Sequence, residues 1–227
     1  MLYAIDCDGV LIDSEIIASE VDAEMLEEEG FKITPEEIHH RFAGLTILEI
    51  KATVEEELGR SLSEDFVDRH REELNKRLEE EVDVVEGVHD MLDMLADAQR
   101  CVCSNSSPER LQLTLTRTQL YTRFDPNIFS AVAVGTKRPK PDPNVYSYAA
   151  THFGVDPAQT VALDDSVFGV TAAKRAGLRV IGFTGASHTW HGHADALTDA
   201  GADTCIHRLT DLPATAAALL AWRQDIS

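Results

Sequence analysis

From Val84 onward, short apolar runs alternate with amphipathic stretches, and this alternation constrains the fold more than any other property of the chain. The pattern predicts a helix over residues 88–98 and a strand over 100–104. Ser107-Pro108-Glu109 then starts a helix, with a capping side chain followed by proline at the first helical position. A strand follows near 130–134, and Asp142-Pro143 opens a helix that runs to Phe153, with Gly154 beyond it. Next come a strand over 160–163, a helix over 168–176 stopped at Gly177, strands over 179–183 and 204–207, and a C-terminal helix rich in Ala and Leu. Near the N-terminus, the uniformly apolar run from Leu2 to Ile5 reads as one more buried strand. Strands alternating with helices pair in parallel, so a doubly wound sheet is expected.

Residues 15–83 break the alternation and read as helical throughout. Ile17, Val21 and Met25 recur at helical spacing before Gly30, and Thr34-Pro35-Glu36-Glu37 combines an N-cap, a proline and a capping-box Glu. Further helices are expected over 45–58 and 64–80, parted by Gly59. This segment holds 22 of the 40 acidic residues against 8 of the 20 Lys and Arg, and so carries 14 of the 20 net negative charges. Its Glu and Lys runs read as solvated faces of amphipathic helices. The expected fold class is therefore α/β: a doubly wound parallel-sheet, Rossmann-like core formed by residues 1–14 and 84–227, with an α-helical domain of residues 15–83 inserted.

The charge balance bears on partners. A net charge of −20 excludes a general affinity for nucleic acid, whose phosphates need Lys and Arg. It gives no long-range attraction to an anionic substrate either, so any phosphate has to be held by a local cluster of cations. No apolar run approaches a membrane span, and the N-terminus lacks the basic-then-apolar pattern of a signal peptide. A cytoplasmic protein without membrane or nucleic-acid partners is expected, working as a monomer or weak homodimer. Cys7, Cys101, Cys103 and Cys205 lack zinc spacing, and Cys101 and Cys103 alternate around Val102 as small buried hydrophobes.

Four strand ends present polar residues together. The first strand leads into Asp6-Cys7-Asp8-Gly9-Val10-Leu11-Ile12-Asp13-Ser14. On extended chain Asp6 and Asp8 point the same way, because side chains alternate faces, and such a pair can share a cation or split two chemical roles. Gly9 lets the chain leave the strand through backbone angles that other residues avoid. The second strand end gives Ser104-Asn105-Ser106, a loop gives Lys137 to Pro143, and a fourth end gives Asp164-Asp165-Ser166. Open α/β sheets bind their ligands at these carboxyl ends. Taken singly, each stretch has a plainer reading: an acidic turn, a helix cap, a polar strand end.

Taken in order, the chain resembles the haloacid dehalogenase superfamily of phosphotransferases. Its four motifs appear as D-x-D-G-V-L-I-D-S at Asp6, S-N at Ser104, K-P-D-P at Lys140 and D-D-S at Asp164. The resemblance covers nearly the whole chain, including a helical cap inserted after the first motif as in β-phosphoglucomutase-like and phosphoglycolate phosphatase-like members. It implies that Asp6 is the nucleophile forming an aspartyl-phosphate and that Asp8 is the general acid and then the base. Ser104, with backbone N–H groups near Asn105 and with Gly9, would bind the phosphoryl group, and Lys140 would supply positive charge beside it. Asp6, Asp165 and the backbone carbonyl of Asp8 would hold Mg²⁺, with Asp164 behind them or bound through water. Lys137 lies only three residues from Lys140, but Lys-Pro-Asp-Pro matches the family motif. Asp13 and Ser14 read as structural, and His188, His191 and His193 as members of a Gly-rich surface loop.

Departures from the family's patterns choose among its reactions. Dehalogenases and phosphonatases lack the second acid of the first motif, which is present here as Asp8. β-Phosphoglucomutase carries a cap histidine twelve residues after its nucleophile, where this chain has Ala18, and a cap-loop Arg that Gly44-Leu45-Thr46-Ile47 does not offer. A non-catalytic acidic binding module would require loss of a core residue, and none is missing. The resemblance thus implies a Mg²⁺-dependent phosphatase of a small phosphorylated metabolite, a sugar or sugar acid, with a phosphosugar mutase as the alternative. Overall resemblance points to a 6-phosphogluconate-phosphatase-like member. Arg41, Thr46 and Lys51 in the cap are candidates to touch the substrate, which the sequence does not fix.

Overall fold

A computed structural model of the chain describes residues 1–42 and 45–221. Six strands form one parallel sheet: β1 (Leu2–Ile5), β2 (Gln99–Ser104), β3 (Ile128–Ser130), β4 (Thr160–Asp164), β5 (Arg179–Phe183) and β6 (Thr204–Ile206). Their order across the sheet is β3-β2-β1-β4-β5-β6. Every residue of β1 and β4 is buried, as strands covered on both faces must be. The chain first builds outward from β1 through β2 to β3, then returns to pair β4 on the other side of β1. Open α/β sheets bind their ligands at such a reversal, which here falls at the carboxyl ends of β1 and β4.

Contacts divide the chain into two compact units, Met1–Asp13 with Asp83–Ser227, and Ser14–Val82. In the sheet unit, α8 (Asn144–Phe153) and α9 (Val167–Arg175) pack Val145, Tyr146, Ala149, Val170 and Ala173 against Leu2, Ala4, Cys101, Cys103 and Ala162 of the strands. The remaining helices of this unit are α5 (Val88–Met94), α6 (Pro108–Arg117), the single turn α7 (Tyr121–Phe124), α10 (His193–Asp199) and α11 (Leu212–Ala221).

The other unit is all-helical among the described residues: α1 (Glu15–Glu28), α2 (Pro35–Phe42), α3 (Ile47–Leu58) and α4 (Phe66–Glu81). Its acidity is partly internal bookkeeping of charge. Arg77 of α4 pairs with Glu20 at 2.8 Å and Glu81 at 2.6 Å, Arg69 pairs with Glu29 at 3.0 Å, and the buried His70 and Asp22 meet at 2.5 Å. Among the described residues no helix is long and apolar enough to cross a membrane.

Two boundaries differ from those the sequence suggests. The strand expected near 130–134 lies at Ile128–Ser130, because β2 ends at Ser104 and its partner in register is Ser130. Residues 131–134 instead form a turn, held by the N–H groups of Ala133 and Val134 donating to the Ser130 carbonyl. The helix expected over 88–98 stops at Met94, and Arg100 donates to the carbonyls of Leu95 and Ala96 beyond it.

Candidate active site

The first motif begins where β1 stops. Asp6 lies just past Ile5, and its N–H continues the ladder to the Leu163 carbonyl at 2.9 Å. Since the extended strand ends before Asp8, alternation does not aim the two carboxylates together. The turn sends Asp6 toward Lys140, while Asp8 Oδ2 accepts from the hydroxyls of Ser104 at 3.3 Å and Ser106 at 2.8 Å. Asp6 Oδ1 accepts from the Cys7 N–H at 2.7 Å and lies 2.9 Å from Lys140 Nζ.

Lys140 is buried, whereas Lys137 is exposed at a positive φ. The Lys140 ammonium stands between Asp6 and Asp164, 2.8 Å from Asp164 Oδ2, and 5.1 Å from the centre of the Tyr146 ring. Its loop is fixed from two sides. The Asn105 side chain accepts from the Lys140 N–H at 2.7 Å and donates to its carbonyl at 3.4 Å, clamping the backbone. The buried Asn144 donates to the carbonyls of Ala131, Val134 and Arg138 and accepts from the Thr136 N–H. Asn105 therefore spends its side chain on positioning Lys140.

Asp164 is fully buried at the end of β4, with four protein donors. Oδ1 accepts from the Ser166 N–H and hydroxyl, and Oδ2 from Lys140 and from the Tyr146 hydroxyl at 2.6 Å. Gly169 on α9 is required here, since a Cβ would fall inside the Asp164 carboxylate. Asp164 thus acts as the counter-ion that seats Lys140.

The electrostatics follow from this crowding. Burial alone would lower the Lys140 pKa, but the Asp164 and Asp6 carboxylates outweigh it and hold the ammonium above the ordinary lysine range. Burial pushes the Asp6 carboxyl well up; Lys140 opposes that shift, and Asp164, Asp165 and Asp8 add to it. Asp6, Asp164 and Asp165 present oxygens within 4.8 Å of one another, and Asp165 Oδ1 is buried without a hydrogen-bond partner among the described residues. The Lys140 ammonium pairs with two of these three buried carboxylates, Asp6 and Asp164. Hard oxygen donors, surplus negative charge and an orphaned carboxylate oxygen fit a cation at Asp6 and Asp165.

The expected residues divide as follows. Asp6, Asp8, Ser104, Lys140, Asp164 and Asp165 converge at the strand ends, and Gly9, at φ 75°, passes against Asp165. In the helical unit, Arg41 pairs with Glu57 at 2.5 Å, Lys51 with Glu55, and Thr46 caps α3 in a reciprocal capping box with Glu49. Gly44, part of the loop lacking the mutase arginine, lies outside the described residues.

The histidine cluster requires correction as a surface loop. His191 is exposed, but His193 is buried and His188 Nε2 lies 2.8 Å from Asp165 Oδ2. The loop follows β5, the strand beside β4, so packing carries it inward. Ser106 and Tyr146 also reach the site without having been singled out. Ser106 stands in the polar stretch after the second strand, just beyond the S-N motif; Tyr146 gives no signal beyond lying in an expected helix.

Comparison with known proteins gives the family. The family model of haloacid dehalogenase-like hydrolases matches residues 3–183. The chain is 32% identical over 184 residues to the 6-phosphogluconate phosphatase of Escherichia coli, covering 81% of this chain and 82% of that one. It is 32% identical over 200 residues to the phosphorylated carbohydrates phosphatase of Thermotoga maritima, covering 87% and 89%. A solved haloacid dehalogenase-like protein of unknown function from Agrobacterium tumefaciens superposes with a TM-score of 0.90 at 48% identity, over 96% of this chain and 98% of that one. With all four motif stretches inside the matched span, the chain belongs to the haloacid dehalogenase-like hydrolases: it is an enzyme, similar over most of its length to phosphoric monoester hydrolases.

Proposed function

We propose that this hydrolase is a phosphatase of a small phosphorylated sugar or sugar acid, working through phosphorylation of Asp6 with Mg²⁺ bound. The observation that carries the reading is the meeting of Asp6, Lys140 and Asp165 at the carboxyl ends of β1 and β4, with one Asp165 oxygen unpartnered among the described residues. The two phosphatase relatives supply the substrate class.

The residues divide the work. The interactions of Asp6 with other described side chains and backbone groups fall on Oδ1, which leaves Oδ2 to attack phosphorus. Lys140 opposes the upward shift that burial imposes on that carboxyl and neutralises charge on the incoming phosphoryl group. Asp8 gives a proton to the leaving alcohol. It then takes one from the water that attacks the phosphoryl group on Asp6, which releases inorganic phosphate. Ser104 exchanges its bond to Asp8 for one to the phosphoryl oxygens, with Ser106 and the backbone near Asn105 and Gly9 beside it. Asp6, Asp165 and the Asp8 carbonyl would hold Mg²⁺, which when bound supplies positive charge to the phosphoryl oxygens. Selectivity among sugar phosphates belongs to the helical unit. To bind substrate, Arg41, Thr46 or Lys51 would have to leave Glu57, Glu49 or Glu55.

The test is phosphate release from a panel of phosphorylated sugars and sugar acids, with Mg²⁺ and after exhaustive chelation. Release that depends on Mg²⁺ is expected. Full activity after chelation would contradict the cation assignment, and no release from any member would contradict the substrate class.

A further inference from the structure

The two oxygens of Asp165 have different surroundings. Oδ2 lies 2.8 Å from His188 Nε2, while Oδ1 is buried with no hydrogen-bond partner among the described residues. The helix that follows this loop holds Asp165 at a second point, since Nε2 of His193, at the start of α10, donates to the Asp165 backbone carbonyl at 2.7 Å. The loop is itself fixed. Ser187 donates to Asp13 Oδ1 at 2.7 Å, and the Trp190 ring stacks on His193 with centroids 3.8 Å apart. Gly9 makes room for the pair, because a Cβ there would collide with Asp165 Oδ2 and with the His188 ring.

A carboxylate free to rotate about its terminal bond offers either oxygen in any direction. One held by a hydrogen bond to a single oxygen offers the other in a fixed direction, and the groups that orient a metal ligand in this way tune its affinity. We propose that His188 is a positioning residue whose Nε2–H holds Asp165 Oδ2, so that Oδ1 is presented to the cation shared with Asp6. The proposal rests on the reading of Asp165 as a cation ligand. The histidine adds no ligand of its own; it fixes the orientation of one.

The experiment is calorimetric titration of the purified full chain with MgCl₂ in the absence of substrate, for wild type, Asp165→Asn, His188→Leu and His188→Gln. Leu keeps much of the volume and removes the donor, and Gln places an amide N–H near the position of Nε2. His188→Leu is expected to bind Mg²⁺ about 10- to 100-fold more weakly. The Mg²⁺ concentration for half-maximal activity should rise by the same factor, and His188→Gln should recover most of the affinity. If His188→Leu does not fold, His188→Ala takes its place in the same comparison. Equal Mg²⁺ affinity in wild type and His188→Leu, or a Gln variant no better than Leu, overturns the role of His188 alone. A wild type that binds no Mg²⁺, indistinguishable from Asp165→Asn, overturns the cation reading and this inference with it.

Discussion

Lys140 Nζ stands 2.9 Å from Oδ1 of Asp6, and both side chains are buried. A buried ammonium is stable only beside compensating charge, and here two carboxylates, Asp6 and Asp164, supply it. The ground state is therefore arranged around a pair that a phosphoryl group would enter with further negative charge.

Removing Lys140 leaves those carboxylates uncompensated. Lys140→Ala is expected to cost about 3–5 kcal/mol of stability, as for a broken buried pair, and to lower kcat/KM by about 10²-fold or more. Lys137→Ala, on the exposed side of the same loop, should change stability by no more than about 0.5 kcal/mol. Urea unfolding and steady-state kinetics on the two variants check this, and a larger kinetic loss for Lys137→Ala would reassign the third motif.

Thr46 has a measurable structural role whatever its part in selectivity. Its hydroxyl accepts from the Glu49 N–H, and the Glu49 carboxylate accepts from the Thr46 N–H and hydroxyl. Thr46→Ala should cost about 1 kcal/mol, and Thr46→Ser much less. The bonds from Thr46 hold the Glu49 carboxyl below its usual range. A lowered folded-state pKa gives stability that is present above the unfolded value and lost as the pH falls through the folded one. Thr46→Ala keeps the backbone N–H, the larger cause of that shift, so its acid unfolding should lose only the hydroxyl's share of the component, and a Thr46→Ala variant as stable as wild type at neutral pH would contradict the cap.

Reaction type separates hydrolase from mutase. A mutase must let a sugar hydroxyl reach the phosphorylated aspartate before water does, and Ala18 has no group to act on a hydroxyl. Phosphorus NMR of the reaction with β-glucose 1-phosphate and a trace of the 1,6-bisphosphate should show free phosphate and no migration. Glucose 6-phosphate without free phosphate would contradict hydrolysis and show that mutase chemistry proceeds with alanine at position 18.

What the sequence makes legible, and what it hides, follows from the range of each signal. Asp6, Ser104, Asp164 and Asp165 follow or end apolar strands, so their common edge can be read from the strand–helix alternation alone. Lys140 needed more, because Lys137 is chemically identical; the difference lies in the Asn105 clamp and in the loop built by Asn144. Tyr146 and His188 were hidden because their contacts depend on the phase of α8 and on the path of the loop after β5. Composition also does not reveal that Arg41 and Lys51 have carboxylate partners, Glu57 and Glu55, which any contact with substrate would have to displace.

The central claim is that Asp6 carries the phosphoryl group. Rapid acid quench during turnover, followed by borohydride reduction, converts an aspartyl phosphate to homoserine, and peptide mapping then locates it. The account predicts homoserine at position 6 only when substrate is present, and none in Asp6→Asn, which should fold and not turn over. Homoserine at another aspartate, or substantial turnover by Asp6→Asn, would contradict it.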